Sequence, residues 1–129
     1  MKPDELEKII SEAFENKQSV SENSDKKILD AIKETIELTD RGNVRVAEKK
    51  NGKWSVNQWV KKGILLSFRV NKMTMSKGPY TTWYDKVPGK SVLWNESDWK
   101  KAGYRHVPNG VVRKGSFIAK GVVLMPCFV

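Results

Sequence analysis

The chain has 129 residues, 39% of them hydrophobic and 30% charged, which suits one domain with a modest core or a small domain plus the start of another. No apolar run approaches the roughly 20 residues of a membrane helix, and the acidic N-terminus lacks the basic flank of a secretory signal. The single cysteine, Cys127, excludes an internal disulfide framework and fits a reducing cytoplasm.

The net charge of +9 is unevenly spread. Residues 1–40 carry six Lys and eleven Asp or Glu, whereas residues 41–129 carry eighteen Lys or Arg and four acids. Such a basic body could attract nucleic acid, an anionic membrane or a polyanionic small substrate, or be a solvated surface. Leu6, Ile9, Ile10, Ala13 and Phe14 follow the helical period, with Asp4 and Glu5 placed to favour the helix N-terminus. A polar connection follows from Ser19, with Ser24 as the expected N-cap of a second helix carrying Ile28, Leu29, Ile32 and Ile36. That helix is expected to end near Arg41-Gly42.

The period then changes to two. Val44 and Val46, the turn pair Asn51-Gly52, and Trp54 and Val56 predict a β-hairpin with a type I′ turn. Ile64, Leu66, Phe68 and Val70 alternate and predict a further strand. Residues 71–92 read as loop-rich around Gly78-Pro79 and Pro88-Gly89, with a short extended stretch at Tyr80 to Tyr84. Asn95 opens a short helix that stops at Gly103. The expected fold class is therefore an α+β domain over 1–108, a helical hairpin followed by a β-hairpin and strand.

From Val112 the chain divides into hexads beginning at Val112, Ile118 and Leu124. Hexapeptide periodicity marks a parallel β-helix in which each hexad forms one side of a triangular prism. Residues 109–129 are thus expected to be the first, incomplete coil of such a helix, and the chain is expected to be the front part of a longer protein. An ordinary pair of apolar strands is the competing reading.

Several residues invite a chemical role. His106 is the only histidine; a lone histidine is more often structural or solvated than a general base. With one Cys and one His, a zinc site is not supported. Lys49-Lys50 and Lys61-Lys62 could meet phosphate, although lysine pairs are usually solvated. Trp54, Trp59, Trp83, Trp94 and Trp99 are expected to pack the domain, though aromatics interleaved with basic residues also resemble a stacking platform. No Gly-rich phosphate loop precedes a helix.

The segments together resemble the bacterial tetrahydrodipicolinate N-succinyltransferases, a hexapeptide-repeat transferase family of lysine and diaminopimelate synthesis. The resemblance rests on Arg45-Val-Ala-Glu-Lys49, Gly52-Lys-Trp54, Gln58-Trp59-Val-Lys-Lys62, Leu65-Leu-Ser-Phe-Arg69 and Asn71. It continues through Tyr84-Asp-Lys-Val-Pro88, Ala102-Gly-Tyr-Arg105, Val107-Pro108, Val112-Arg113, Gly115, Phe117-Ile-Ala-Lys120 and Val123-Leu-Met-Pro126.

The resemblance implies a left-handed β-helix, a cytoplasmic homotrimer, and succinyl transfer from succinyl-CoA to tetrahydrodipicolinate without a covalent acyl-enzyme. Succinyl-CoA is then a cosubstrate, with no bound cofactor, metal, nucleic acid or membrane partner. Arg105 matches the family's substrate-binding arginine, and a guanidinium is the natural anchor for an acceptor bearing two carboxylates. The family's aspartate base and the coils that hold CoA are expected beyond Val129, so no residue of 1–129 is assigned a catalytic role and the isolated chain is expected to be inactive. The family does not keep histidine where His106 stands, and the counterpart of Cys127 is usually a small residue, which suggests packing. Two alternatives remain: a non-catalytic subunit co-assembling with intact enzyme, or a basic nucleic-acid-binding module.

Overall fold

A computed structural model describes residues 1–129. Pro3 opens helix α1 (Pro3–Glu15), where its missing N–H costs nothing, and Asp4 and Glu5 lie at the positive end of the helix dipole. Leu6, Ile9, Ile10 and Ala13 form its buried stripe. Helix α2 (Lys26–Asp40) is capped by Asp25, whose carboxylate accepts the Lys27 N–H at 2.7 Å. The cap is therefore Asp25 and not Ser24, whose hydroxyl instead accepts the Ser21 N–H at 2.9 Å.

Strands β1 (Ala47–Lys50) and β2 (Lys53–Val56) pair antiparallel around Asn51-Gly52, both with positive φ as a type I′ turn needs. The alternation at Ile64, Leu66, Phe68 and Val70 does not make a strand: Gln58–Val70 is helix α3. Its buried residues, Trp59, Val60, Gly63, Leu66 and Ser67, recur at helical spacing. Two of these five are small, so the stripe is hidden from a search for large apolar side chains. Gly63 serves the crossing with α2, because a Cβ there would come within 2.8 Å of the Thr35 methyl. The three helices surround one core in which Leu6, Ile10, Ile32, Val60 and Leu66 are no more than 2% exposed. Each such side chain contributes about 1.5–3 kcal/mol by leaving water.

Beyond α3 the chain is extended and exposed. Strands β3 (Thr74–Lys77) and β4 (Thr82–Asp85) form a second hairpin in the stretch that reads as loop-rich, β4 overlapping the extended segment expected at Tyr80 to Tyr84. Helix α4 (Glu96–Ala102) carries a capping box between Asn95 and Asp98 and ends at Gly103 in the left-handed conformation. Strand β5 (Arg105–His106) then pairs parallel with β6 (Val123–Leu124), with Arg105 opposite Val123 and His106 opposite Leu124, eighteen residues on. A second parallel bridge joins Val111 to Phe128. Of the residues that open the hexads, Val112 is buried and Ile118 and Leu124 are half-buried, while Phe117, Val123 and Val129 are exposed. The architecture is α+β, with the core in the helices and the parallel strands docked beside it.

Candidate functional site

Asp40, the last residue of α2, fixes the C-terminal strands to the helices. An acid at the negative end of a helix dipole is poorly placed by itself. Here Asp40 Oδ2 lies 2.9 Å from Lys90 Nζ and 3.7 Å from Lys114 Nζ, and Oδ1 accepts the Gly115 N–H at 2.7 Å. The Lys90 and Asp40 side chains are only 7% and 12% exposed, so neither charge has water to replace its partner. Lys114 also pairs with Glu37 at 2.9 Å. Nothing in composition or periodicity marks Asp40; an acid in the last turn of a helix, where a cation is favoured, is the one available signal.

The uneven charge of the sequence is therefore used within the chain. Glu15, Glu22, Glu37 and Asp40 of the first forty residues pair with Lys62, Lys72, Lys114 and Lys90 of the remainder. Of the lysine pairs noted in the sequence, Lys62 is held by Glu15 and Lys50 by Glu48, leaving Lys49 and Lys61 solvated. Asn57 and then Lys50 hold the Glu48 carboxyl below its usual range. The Lys86 backbone N–H, followed by Arg113, does the same for Asp85.

Arg105 sits on β5, exposed, with its backbone N–H donated to the Val122 carbonyl at 2.9 Å. Its guanidinium has no carboxylate within ion-pairing distance in this chain, unlike Arg113, which meets Asp85 at 2.7 Å. Its two neighbours turn the other way, as residues on a strand must. Tyr104 packs edge-on against Trp99 at 5.5 Å and Trp94 at 6.1 Å, and the His106 ring lies 5.8 Å from Trp99. Burial, and then the Asp40 charge, push the Tyr104 hydroxyl up from its ordinary pKa. The stem of Lys120 lies 3.2 Å from where a Gly103 Cβ would stand, bringing a second cation to this end of the strand pair.

The remaining candidates are scattered. Cys127 is exposed, and its carbonyl accepts the Val111 N–H at 2.7 Å. Trp59 packs the core and Trp94 and Trp99 form the aromatic cluster, but Trp54 is 72% exposed. The β1–β2 hairpin stands away from the helices, so its side chains have no layer to pack on. A cleft of about 300 Å³ between Ile36, Ile64, Phe68 and Phe128 is mostly apolar and does not include Arg105. No group of three or more His, Cys, Asp or Glu side chains is gathered in a way that could hold a metal ion. No helix is long and apolar enough to cross a membrane.

These features define an α+β domain whose helical core carries a parallel strand pair presenting an unpaired arginine to solvent. Residues 5–70 match the family model described as tetrahydrodipicolinate N-succinyltransferase, N-terminal. The chain belongs to that family. It is similar to the 2,3,4,5-tetrahydropyridine-2,6-dicarboxylate N-succinyltransferase of Pelagibacter ubique, 59% identical over 97% of this chain and 46% of the relative. The enzymes of the same name from Agrobacterium fabrum (50% identical, 96% and 45% covered) and Paracoccus denitrificans (46% identical, 100% and 48% covered) are also similar. The chain spans about half the length of the curated relatives it matches.

Proposed function

We propose that these residues are the N-terminal part of a cytoplasmic enzyme of lysine and diaminopimelate synthesis that transfers succinyl from succinyl-CoA to tetrahydrodipicolinate. The observation that carries this reading is 59% identity, over 97% of the chain, to a relative bearing that activity in its name. In the reaction the acceptor amine attacks the thioester carbonyl, a base takes the amine proton, and the CoA thiolate leaves as the tetrahedral intermediate collapses.

Arg105 is the proposed anchor for an acceptor carboxylate; it is exposed and unpaired, as a group waiting for an anion must be. No residue of 1–129 is proposed as the base, and none is proposed to hold CoA. The parallel pairing at an eighteen-residue offset supports reading 109–129 as part of a left-handed β-helix, because three hexads make one turn of that prism. That pairing also uses Arg105 and His106, so the strands that stack begin before residue 109. An assembly of three copies, completing the site between subunits, belongs to the same proposal.

The test is a chimera in which these 129 residues replace the corresponding segment of the Pelagibacter ubique relative. The expected result is CoA release that depends on both succinyl-CoA and the acceptor. Arg105→Ala in that chimera is expected to raise KM for the acceptor more than tenfold, the loss of a charge-assisted anchor. A folded chimera without transfer activity would refute the proposal.

A further inference from the structure

Residues 99–129 contain six Lys or Arg and no Asp or Glu. Acids from earlier in the chain pair with three of the six: Glu96 with Lys100, Asp85 with Arg113, and Glu37 with Lys114. The other three, Lys101, Arg105 and Lys120, are exposed, have no carboxylate at ion-pairing distance, and gather at Gly103. Lys101 and Arg105 lie two residues to either side of it, and the Lys120 stem packs on it. Lys101 has a local reason for its place, because the negative end of the α4 dipole favours a cation in the last turn.

The backbone fixes Lys120 beside Arg105. The Gly121 N–H donates to the Gly103 carbonyl at 2.7 Å, and the Arg105 N–H donates to the Val122 carbonyl at 2.9 Å. Lys120 Cγ and Cδ lie 3.2 and 3.5 Å from where a Gly103 Cβ would stand, so the bare glycine is what lets the stem lie there. Only the last two bonds of the side chain, from Cδ to the ammonium, reach beyond this contact. The Gly103 and Arg105 Cα atoms are at most about 7 Å apart. A seven-carbon dicarboxylate has six carbon–carbon bonds of about 1.5 Å between its carboxyl carbons, and in zigzag it spans about 8 Å. Two cations rooted this close can each take one of its ends.

We propose that Lys120 is the second anchor for the acceptor, holding one carboxylate while Arg105 holds the other. The inference rests on the reading of Arg105 as an acceptor anchor, and it adds a cause of specificity for two carboxylates over one. A guanidinium binds a carboxylate through paired, planar donors, whereas an ammonium acts as a point charge on a flexible stem. Arg105 therefore sets the orientation of one end, and Lys120 follows the other. Holding both ends restricts the tumbling of the acceptor and so lowers the entropic cost of bringing its amine to the thioester.

The test is a titration of the 129-residue chain at low salt with pimelate and, separately, with heptanoate, which has the same seven carbons and one carboxylate. Binding is read from backbone amide NMR shifts at 103–105 and 120–122. Pimelate is expected to bind about fivefold more tightly than heptanoate, the scale of one exposed ion pair. Lys120→Met keeps the length of the stem without its charge; it is expected to erase that preference and leave heptanoate affinity unchanged. Lys120→Arg is expected to keep the preference, and Arg105→Ala to weaken the binding of both ligands. A lysine that served only the negative end of α4 would not distinguish one carboxylate from two. No binding, equal affinity of the wild type for the two ligands, or a preference that survives Lys120→Met therefore overturns the inference. Affinities unchanged in Arg105→Ala overturn the reading of Arg105 itself, whatever Lys120→Met does.

Discussion

Of the twelve buried hydrophobic side chains, ten lie between Leu6 and Leu66, and only Tyr104 and Val112 lie beyond. The helical part, residues 1–70, is stabilised as a small globular domain is, by apolar area removed from water around the α1–α2–α3 crossings. The part after it has little core of its own. It is held by ion pairs that reach back to the helices, by the Trp94–Trp99–Tyr104 cluster, and by a few parallel strand bonds. The proposed anchor, Arg105, sits in the second part. The difference separates a scaffold that resists change from a surface whose geometry depends on a few charged contacts.

The two parts should therefore break differently. The largest effect is expected in the core: Ile10→Ala removes a fully buried side chain and should cost about 4 kcal/mol, lowering the urea midpoint of helix and strand signals together. Asp40→Ala comes next, at about 3 kcal/mol, because it leaves Lys90 with a buried charge, no carboxylate, and only the residue-40 backbone carbonyl at 2.9 Å to accept from it. It should free the strands around Arg105, seen as faster amide exchange at 105–107 and 122–129, while the helices keep their circular dichroism. Asn95→Ala removes the cap of α4 and should cost about 1 kcal/mol, confined to the aromatic cluster and read by Trp fluorescence.

The smallest effect concerns the exposed hairpins. The folded pKa values of Glu48 and Asp85 lie below their unfolded values, so each stabilises the fold above the ordinary carboxylate range. That contribution is lost as pH falls through the lowered values. Acid should thus loosen the links of both hairpins, visible as shifted Trp54 and Trp83 indole NMR signals, before α1–α3 melt.

How much of this was legible in the sequence follows the same division. Helices α1 and α2 were readable because large apolar residues at helical spacing carry their buried faces, and Asn51-Gly52 dictates its turn. Helix α3 was not, because Gly63 and Ser67 occupy its buried face while Leu65 and Phe68 are 47% and 37% exposed, so the visible apolar residues mimic a strand. Of the β3–β4 hairpin only the extended stretch at Tyr80 to Tyr84, overlapping β4, was legible, because its strands have no buried face and hence no alternation to detect. The hexad spacing at Val112, Ile118 and Leu124 is a property of the sequence, whereas the parallel pairing of residues 105–106 with 123–124 emerged only with the fold, because 105–106 precede the first hexad. Arg105 is singled out as the proposed anchor through the family's motif alone: an exposed arginine beside a helix end has no periodic signature. His106 was visible as a lone histidine, but its surroundings depend on Gly110, Trp99 and Tyr104.

Native-state amide exchange on the unmodified chain tests the division most directly. The account predicts that buried amides of α1, α2 and α3 exchange only through global unfolding. Those bonded between residues 103–113 and 121–129 should exchange through a smaller opening of lower free energy. Equal opening free energies in the two parts would contradict it, because they would show a single cooperative unit in place of a core with a docked, charge-held surface.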